Sequence, residues 1–182
     1  MSEKCIYIAD REKNNNNTYL KAFDINTGAL LNEKSLGAVT VTGINTDTEN
    51  NIIDLFTEGY QNDGVPHTIH MKINADSLET ESSADLTEYI DSSLSVNHSV
   101  IKGQKGFLIA SEKVVTGEIK GIYSFDNEDN FLFSRDDFAD NSLPKAAVMM
   151  PDGNISLITS ENDYDFEIEE LNMSSGEFAD YF

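Results

Sequence analysis

Tryptophan is absent from the 182 residues, cysteine occurs once, proline three times, and lysine plus arginine only 12 times. Each shortage closes a class. A single cysteine, Cys5, excludes an internal disulfide and any multi-cysteine metal site. It lies in KCIYIAD, a hydrophobic strand-like run, and so reads as a buried structural thiol rather than a nucleophile. Twelve basic against 33 acidic side chains leave a formal charge of −21. Nucleic acid and anionic membranes both require a basic footprint, so neither is an expected partner. No run approaches the ~20 apolar residues of a membrane span. The opening MSEKC lacks the apolar core of a secretory leader. The cytoplasm is the expected compartment; secretion with the leader already removed is the alternative.

Long apolar runs are missing, yet 39% of the residues are hydrophobic, enough for a buried core. They fall in runs of four to seven, rich in Val, Ile, Phe and Tyr and punctuated by Asn, Asp, Gly and Ser. That is strand chemistry with turn punctuation. Only ADLTEYIDSSL (Ala84 to Leu94) has helical spacing, and it predicts a single turn between larger units. NNNN (Asn14 to Asn17) reads as a hairpin tip, because the strand pattern resumes at once.

The runs repeat. FDINTGALL (Phe23 to Leu31) and FDNEDNFLF (Phe125 to Phe133) share an apolar residue, an Asp, a polar turn and a new apolar run. INADSLETE from Ile73 and LNMSSGEFADYF from Leu171 follow the same plan, with Gly176 at the place of Gly28. The apolar residues that open the motif, Phe23, Ile73, Phe125 and Leu171, stand 50, 52 and 46 residues apart. IYIADRE, IIDLFTE, FLIASEK and ISLITSE precede them as one strand each, followed by TYLKAFD, HTIHMKIN, IKGIYSFD and DFEIEELN as another. A further strand, AVTVTGI, LSVNHSVI or KAAVMM, stands ahead of the last three copies. The turns KGQKG and MPDGN supply hairpin chemistry between strands. Each copy is then four short antiparallel strands in roughly 50 residues.

A four-stranded unit of this length resembles the blade of a β-propeller, and FDINTGALL is most similar to the blades of quinoprotein-type repeats. The resemblance implies an all-β, propeller-like domain over residues 1–182, with repeats at about 1–36, 37–85, 86–139 and 140–182. It does not bring the quinone site, because the docking tryptophans of those blades are missing. Copy one has room for only three strands, so Ile6, Tyr7 and Ile8 are expected to form an unpaired apolar edge. Copy four is completed by Phe178 to Phe182, whose aromatics pack as the outermost strand or meet a partner. Three arrangements remain open: part of a larger propeller, a half-ring that pairs with a second copy, or a four-bladed ring with one thin blade.

Candidate chemistry is sparse. His67 and His70 stand three apart on a predicted strand, which sends them to opposite faces; His98 is alone before a turn. All three read as surface or packing residues. Acidic clusters occur at Asp47 and Glu49, at Asp136, Asp137 and Asp140, and at Asp163, Asp165, Glu167, Glu169 and Glu170. None matches a calcium loop, and Ca²⁺ bound at the loops is the alternative to no cofactor. Asn16, Asn97, Asn154 and Asn172 begin Asn-x-Ser/Thr triplets, relevant only in a glycosylating host. No catalytic or cofactor-binding residue is assigned and no cofactor is expected. The expected function is a non-enzymatic binding or scaffolding module whose acidic loops, REKNNNN, GYQNDGVP and DNEDN, face a basic protein partner. A homodimer through the edge near Ile6 and Ile8 is the expected self-contact. A divalent-cation-dependent hydrolase or lyase on the same scaffold is the alternative.

Overall fold

Strands of four to nine residues, each ended by a turn residue, dictate a meander, and fourteen are present among the described residues. The structure, a computed structural model, describes residues 5–14, 16–60, 64–90, 96–136, 138, 144–150, 152–160 and 166–178. They form β1 (Cys5–Arg11), β2 (Thr18–Asp24), β3 (Leu30–Gly37), β4 (Thr40–Asp47), β5 (Ile52–Tyr60), β6 (Pro66–Asn74) and β7 (Thr80–Asp85). Then follow β8 (Val96–Lys102), β9 (Gly106–Lys113), β10 (Ile119–Asp126), β11 (Phe131–Arg135), β12 (Ala146–Met149), β13 (Ile155–Ser160) and β14 (Phe166–Leu171). The helical spacing around Leu86 becomes a 3-10 turn over Thr87–Tyr89.

Every strand pairs antiparallel with its sequence neighbour, giving four successive sheets: β1-β2-β3, β4-β5-β6-β7, β8-β9-β10-β11 and β12-β13-β14. The all-β, propeller-like repeat expected from the spacing is therefore present, and the first sheet has three strands among the described residues. In the fourth sheet Leu171 forms an isolated bridge to Phe178; the rest of the expected last strand, residues 179–182, lies outside the described residues.

The turn that carries the repeat is the same device in each copy. Asp24 Oδ1 accepts from the backbone N–H of Asn26 (2.9 Å) and Thr27 (2.8 Å). Asn74 Oδ1 does so from Asp76 and Ser77, at 3.1 Å each. Asp126 Oδ1 accepts from Glu128 and Asn130 at 2.9 Å, and Asn172 Oδ1 from Ser174 (2.9 Å) and Ser175 (3.2 Å). These four residues, Asp24, Asn74, Asp126 and Asn172, are the anchors of the turns: a short side-chain acceptor satisfies the turn's own amides, which is why only Asp or Asn stands there. The chain then needs one residue at positive φ: Gly28 (68°), Leu78 (58°), Asp129 (67°) and Gly176 (69°). At Gly28 a Cβ would meet nothing within 4 Å, whereas at Gly176 it would lie 2.6 Å from Cδ2 of Phe133. Glycine at 176 is required by packing as well as by backbone. Leu78 offsets its unfavourable φ by burying its side chain in the core.

Contacts divide the chain into two compact units, Met1–Glu88 and Tyr89–Phe182, each built from two sheets. Alternation gives every sheet two faces, distinguished by residues of the strand that runs into its turn anchor. The leading face carries the residue just before the anchor; the trailing face carries those two and four before it. In the first unit the trailing face of sheet one (Leu20, Ala22) packs on the leading face of sheet two (Ile53, Leu55, Ile73). In the second unit Leu108, Ala110 and Ile122 of sheet three's trailing face pack on Ile155, Leu157 and Leu171 of sheet four's leading face. The residue after the anchor, Ala75 or Met173, enters the same core. Each fully buried aliphatic side chain contributes about 1.5–3 kcal/mol, so each cluster holds the two sheets of its own unit together.

Candidate binding surfaces

Polar ties fix where the turns of each unit sit. In the first unit the Tyr7 hydroxyl donates to the Ala75 carbonyl (2.9 Å) and Asn32 Nδ2 to the Ser77 carbonyl (3.0 Å), joining sheet one to the turn of sheet two. In the second unit Ser124 Oγ donates to the Met173 carbonyl (3.0 Å) and Arg135 Nη1 to the Gly176 carbonyl (3.1 Å). Burial, followed by the Cys5 thiol and Asp76, pushes the Tyr7 phenol up to about 12. The folded protein therefore keeps that proton at a pH where the unfolded chain has lost it. Stability from this group is complete below about pH 10 and is lost as pH rises toward 12. Tyr7→Phe should flatten the alkaline arm between pH 10 and 11.5 in urea unfolding, while lowering stability at pH 7 by about 1 kcal/mol. An unchanged alkaline slope would contradict this assignment.

The histidines behave as the spacing requires, with partners the spacing does not show. His67 and His70 both lie on β6 and contact different carboxylates. His67 Nδ1 is 2.6 Å from Asp85 Oδ2, near the surface. Burial pushes the Asp85 carboxyl up, but the Thr87 hydroxyl and amide, with His67, outweigh it and hold the group below its usual range. His70 is 1% exposed, its Nε2 is 3.0 Å from Oδ1 of the equally enclosed Asp54, and its ring stacks on Phe56 at 4.2 Å. An Asp–His pair is acid–base chemistry in an open cleft; here it is packed inside the protein. His98 is half-buried on β8, opposite Ser111. Cys5, expected to be buried, is only half-buried. The reason is that β1 pairs with β2 alone among the described residues, so one flank of the strand stays open.

The acidic residues of the turns divide into those whose carboxylates accept from the turn's own amides and those that extend outward. Asp47 Oδ1 accepts from the amides of Glu49 and Asn50 at 3.1 Å, and Asn50 Nδ2 donates to Oδ2 at 2.8 Å. The Asn50 side chain, more than any other group, holds the Asp47 carboxyl below its ordinary value. Asp126 is occupied in the same manner. Glu49, Asp76, Glu79, Glu128, Asp152 and Glu177 are exposed. All six belong to turns joining a first to a second strand or a third to a fourth, which share one end of their sheet. DNEDN is such a turn; REKNNNN joins β1 to β2 at the other end of its sheet, where Glu12 N–H donates to the Asn17 carbonyl at 2.8 Å. GYQNDGVP is described only in part. Asp136 is exposed, Glu167 is exposed and Glu169 half-buried on β14, while Asp137, Asp140, Asp163 and Asp165 lie outside the described residues. Among the described residues no group of three or more His, Cys, Asp or Glu is placed to hold a metal. No helix among them is long and apolar enough to cross a membrane.

The edge expected at Ile6 to Ile8 is present. Ile6 is 47% and Ile8 46% exposed on the leading face of sheet one, and Tyr7 points the other way into the core of its unit. Lys21 lies beside Ile8 in register and reaches Asp10 at 2.6 Å and Glu33 at 3.6 Å. Asp10, and after it Glu33, raises the Lys21 pKa against a smaller opposing effect of burial.

No family model matches the chain, and no curated protein matches it. Among solved structures it is similar to the WD40 domain of SCAP from fission yeast, at 12% identity and a TM-score of 0.40, over 92% of this chain and 44% of that one. The chain spans less than half the length of that domain. Its own sheets identify it as an all-β protein of propeller-like repeat, each repeat one antiparallel meander closed by an Asp or Asn turn.

Proposed function

We propose that the chain is a non-enzymatic binding module, a propeller-like scaffold whose acidic turns engage a basic protein segment. The observation that supports this reading is the exposed set Glu49, Glu79, Glu128 and Glu177 on turns whose backbones are pinned by Asp47, Asn74, Asp126 and Asn172. Rigid carriers lower the ordering cost of recognition, and carboxylates of one sign attract cations. Such a partner carries lysines or arginines spaced to meet the turns of one unit, Glu49 with Glu79 or Glu128 with Glu177.

The test compares two variants of equal charge change with an oligo-lysine peptide as probe. One carries Glu49→Gln, Glu79→Gln, Glu128→Gln and Glu177→Gln; the other carries Glu12→Gln, Glu81→Gln, Glu88→Gln and Glu167→Gln. The turn variant should lose about tenfold in affinity at 0.1 M salt while the second loses little, since screening confines attraction to nearby charges. Equal losses in both would mean that only the overall charge attracts the peptide, and the turn reading would fail.

A further inference from the structure

Strand register makes the four sheets comparable residue by residue. Ile6 pairs with Phe23, Ile53 with Ile73, Phe107 with Phe125 and Ile155 with Leu171, each partner standing just before its anchor. Two residues along, Ile8, Leu55, Ile109 and Leu157 correspond in the same way. In sheets two, three and four these leading-face positions are fully buried; in sheet one they are 47% and 46% exposed. The trailing face shows the converse. Leu20, His70, Ile122 and Ile168 stand four residues before their anchors, and the first three are buried while Ile168 is 66% exposed. Ile158 pairs directly with Ile168, and Val148, on the same face, is also exposed.

One leading face and one trailing face are therefore open. The chain twice shows what such faces pair with: a trailing face meets a leading face, once within each unit. We infer that the leading face of sheet one (Ile6, Ile8) is a docking site for the trailing face of sheet four (Ile168) of a second copy of this chain. When two copies make this contact reciprocally, both open faces of each copy are covered. Charge permits the contact. β1 to β3 carry Arg11, Lys21 and Lys34 against Asp10, Asp24 and Glu33, and so sum to zero in a chain of −21. The inference does not depend on the acidic-turn reading, because no turn carboxylate takes part.

Light scattering of the full chain after size exclusion, over a dilution series, tests it. The expected mass is twice the 20.2 kDa of one chain. Ile6→Lys with Ile8→Lys should give the single-chain mass, and so should Ile168→Lys alone; all three sites are exposed, so circular dichroism and the thermal midpoint at low concentration should match the parent. Mixing the two variants should restore association, because one intact leading face then meets one intact trailing face. A parent that stays monomeric at all concentrations overturns the proposal. So does a dimer that survives either variant, an Ile168→Lys protein that still dimerises through the β1 edge, or an open-ended series of oligomers.

Discussion

Phe125→Ala should lower the unfolding free energy by about 3–5 kcal/mol, the range for removing a large aromatic side chain from a core. Phe125 is fully buried and is the centre of an aromatic group in the second unit. It stacks on Phe107 at 5.1 Å and meets Phe131 at 5.6 Å and Tyr89 at 5.9 Å edge-on, while Tyr89 stacks on Phe131 at 4.7 Å. Each such pair adds about 0.5–1.5 kcal/mol to simple burial. Phe125 also stands directly before the Asp126 anchor, so its loss loosens the turn's footing. Phe125→Leu, which keeps most of the volume, should cost about 1.5 kcal/mol. Urea unfolding followed by circular dichroism separates the two variants; equal costs would show that the ring contacts, and not the filled volume, carry the stability.

The second large effect belongs to Asp54 and His70. Removing one member leaves a polar group enclosed without that partner, which costs about 3 kcal/mol when the pair is charge-assisted. Asp54→Ala should therefore be severely destabilising. Replacing both, as Asp54→Leu with His70→Phe, should recover most of that loss, because two apolar groups of similar size need no partner. Phenylalanine at 70 keeps the ring stack on Phe56, now 4.2 Å apart at 4° between planes. A double variant as unstable as Asp54→Ala would show that the pair's hydrogen bonding, and not its unmatched polarity, is what the fold requires.

What the sequence determined by itself is local. The all-β class, the repeat of 46 to 52 residues and the turn at each anchor were legible because an Asp or Asn side chain bonds amides within four residues of itself. The hairpin at MPDGN was legible for the same reason: Met150 N–H donates to the Asn154 carbonyl at 2.7 Å, with Gly153 at φ 92°. The thin first copy followed from counting strands. The tertiary structure alone decided which residues separated in sequence become neighbours. Tyr7 reaches Ala75 across 68 positions, His70 meets Asp54 across 16 and His67 meets Asp85 across 18. Such partners depend on strand register and on which face of a sheet is covered, and a one-residue slip would exchange them all. For that reason Ile6 and Ile53 look alike as letters, yet one is half exposed and the other is core. What separates them is not the residue or its strand, but whether another sheet packs against the face on which it stands.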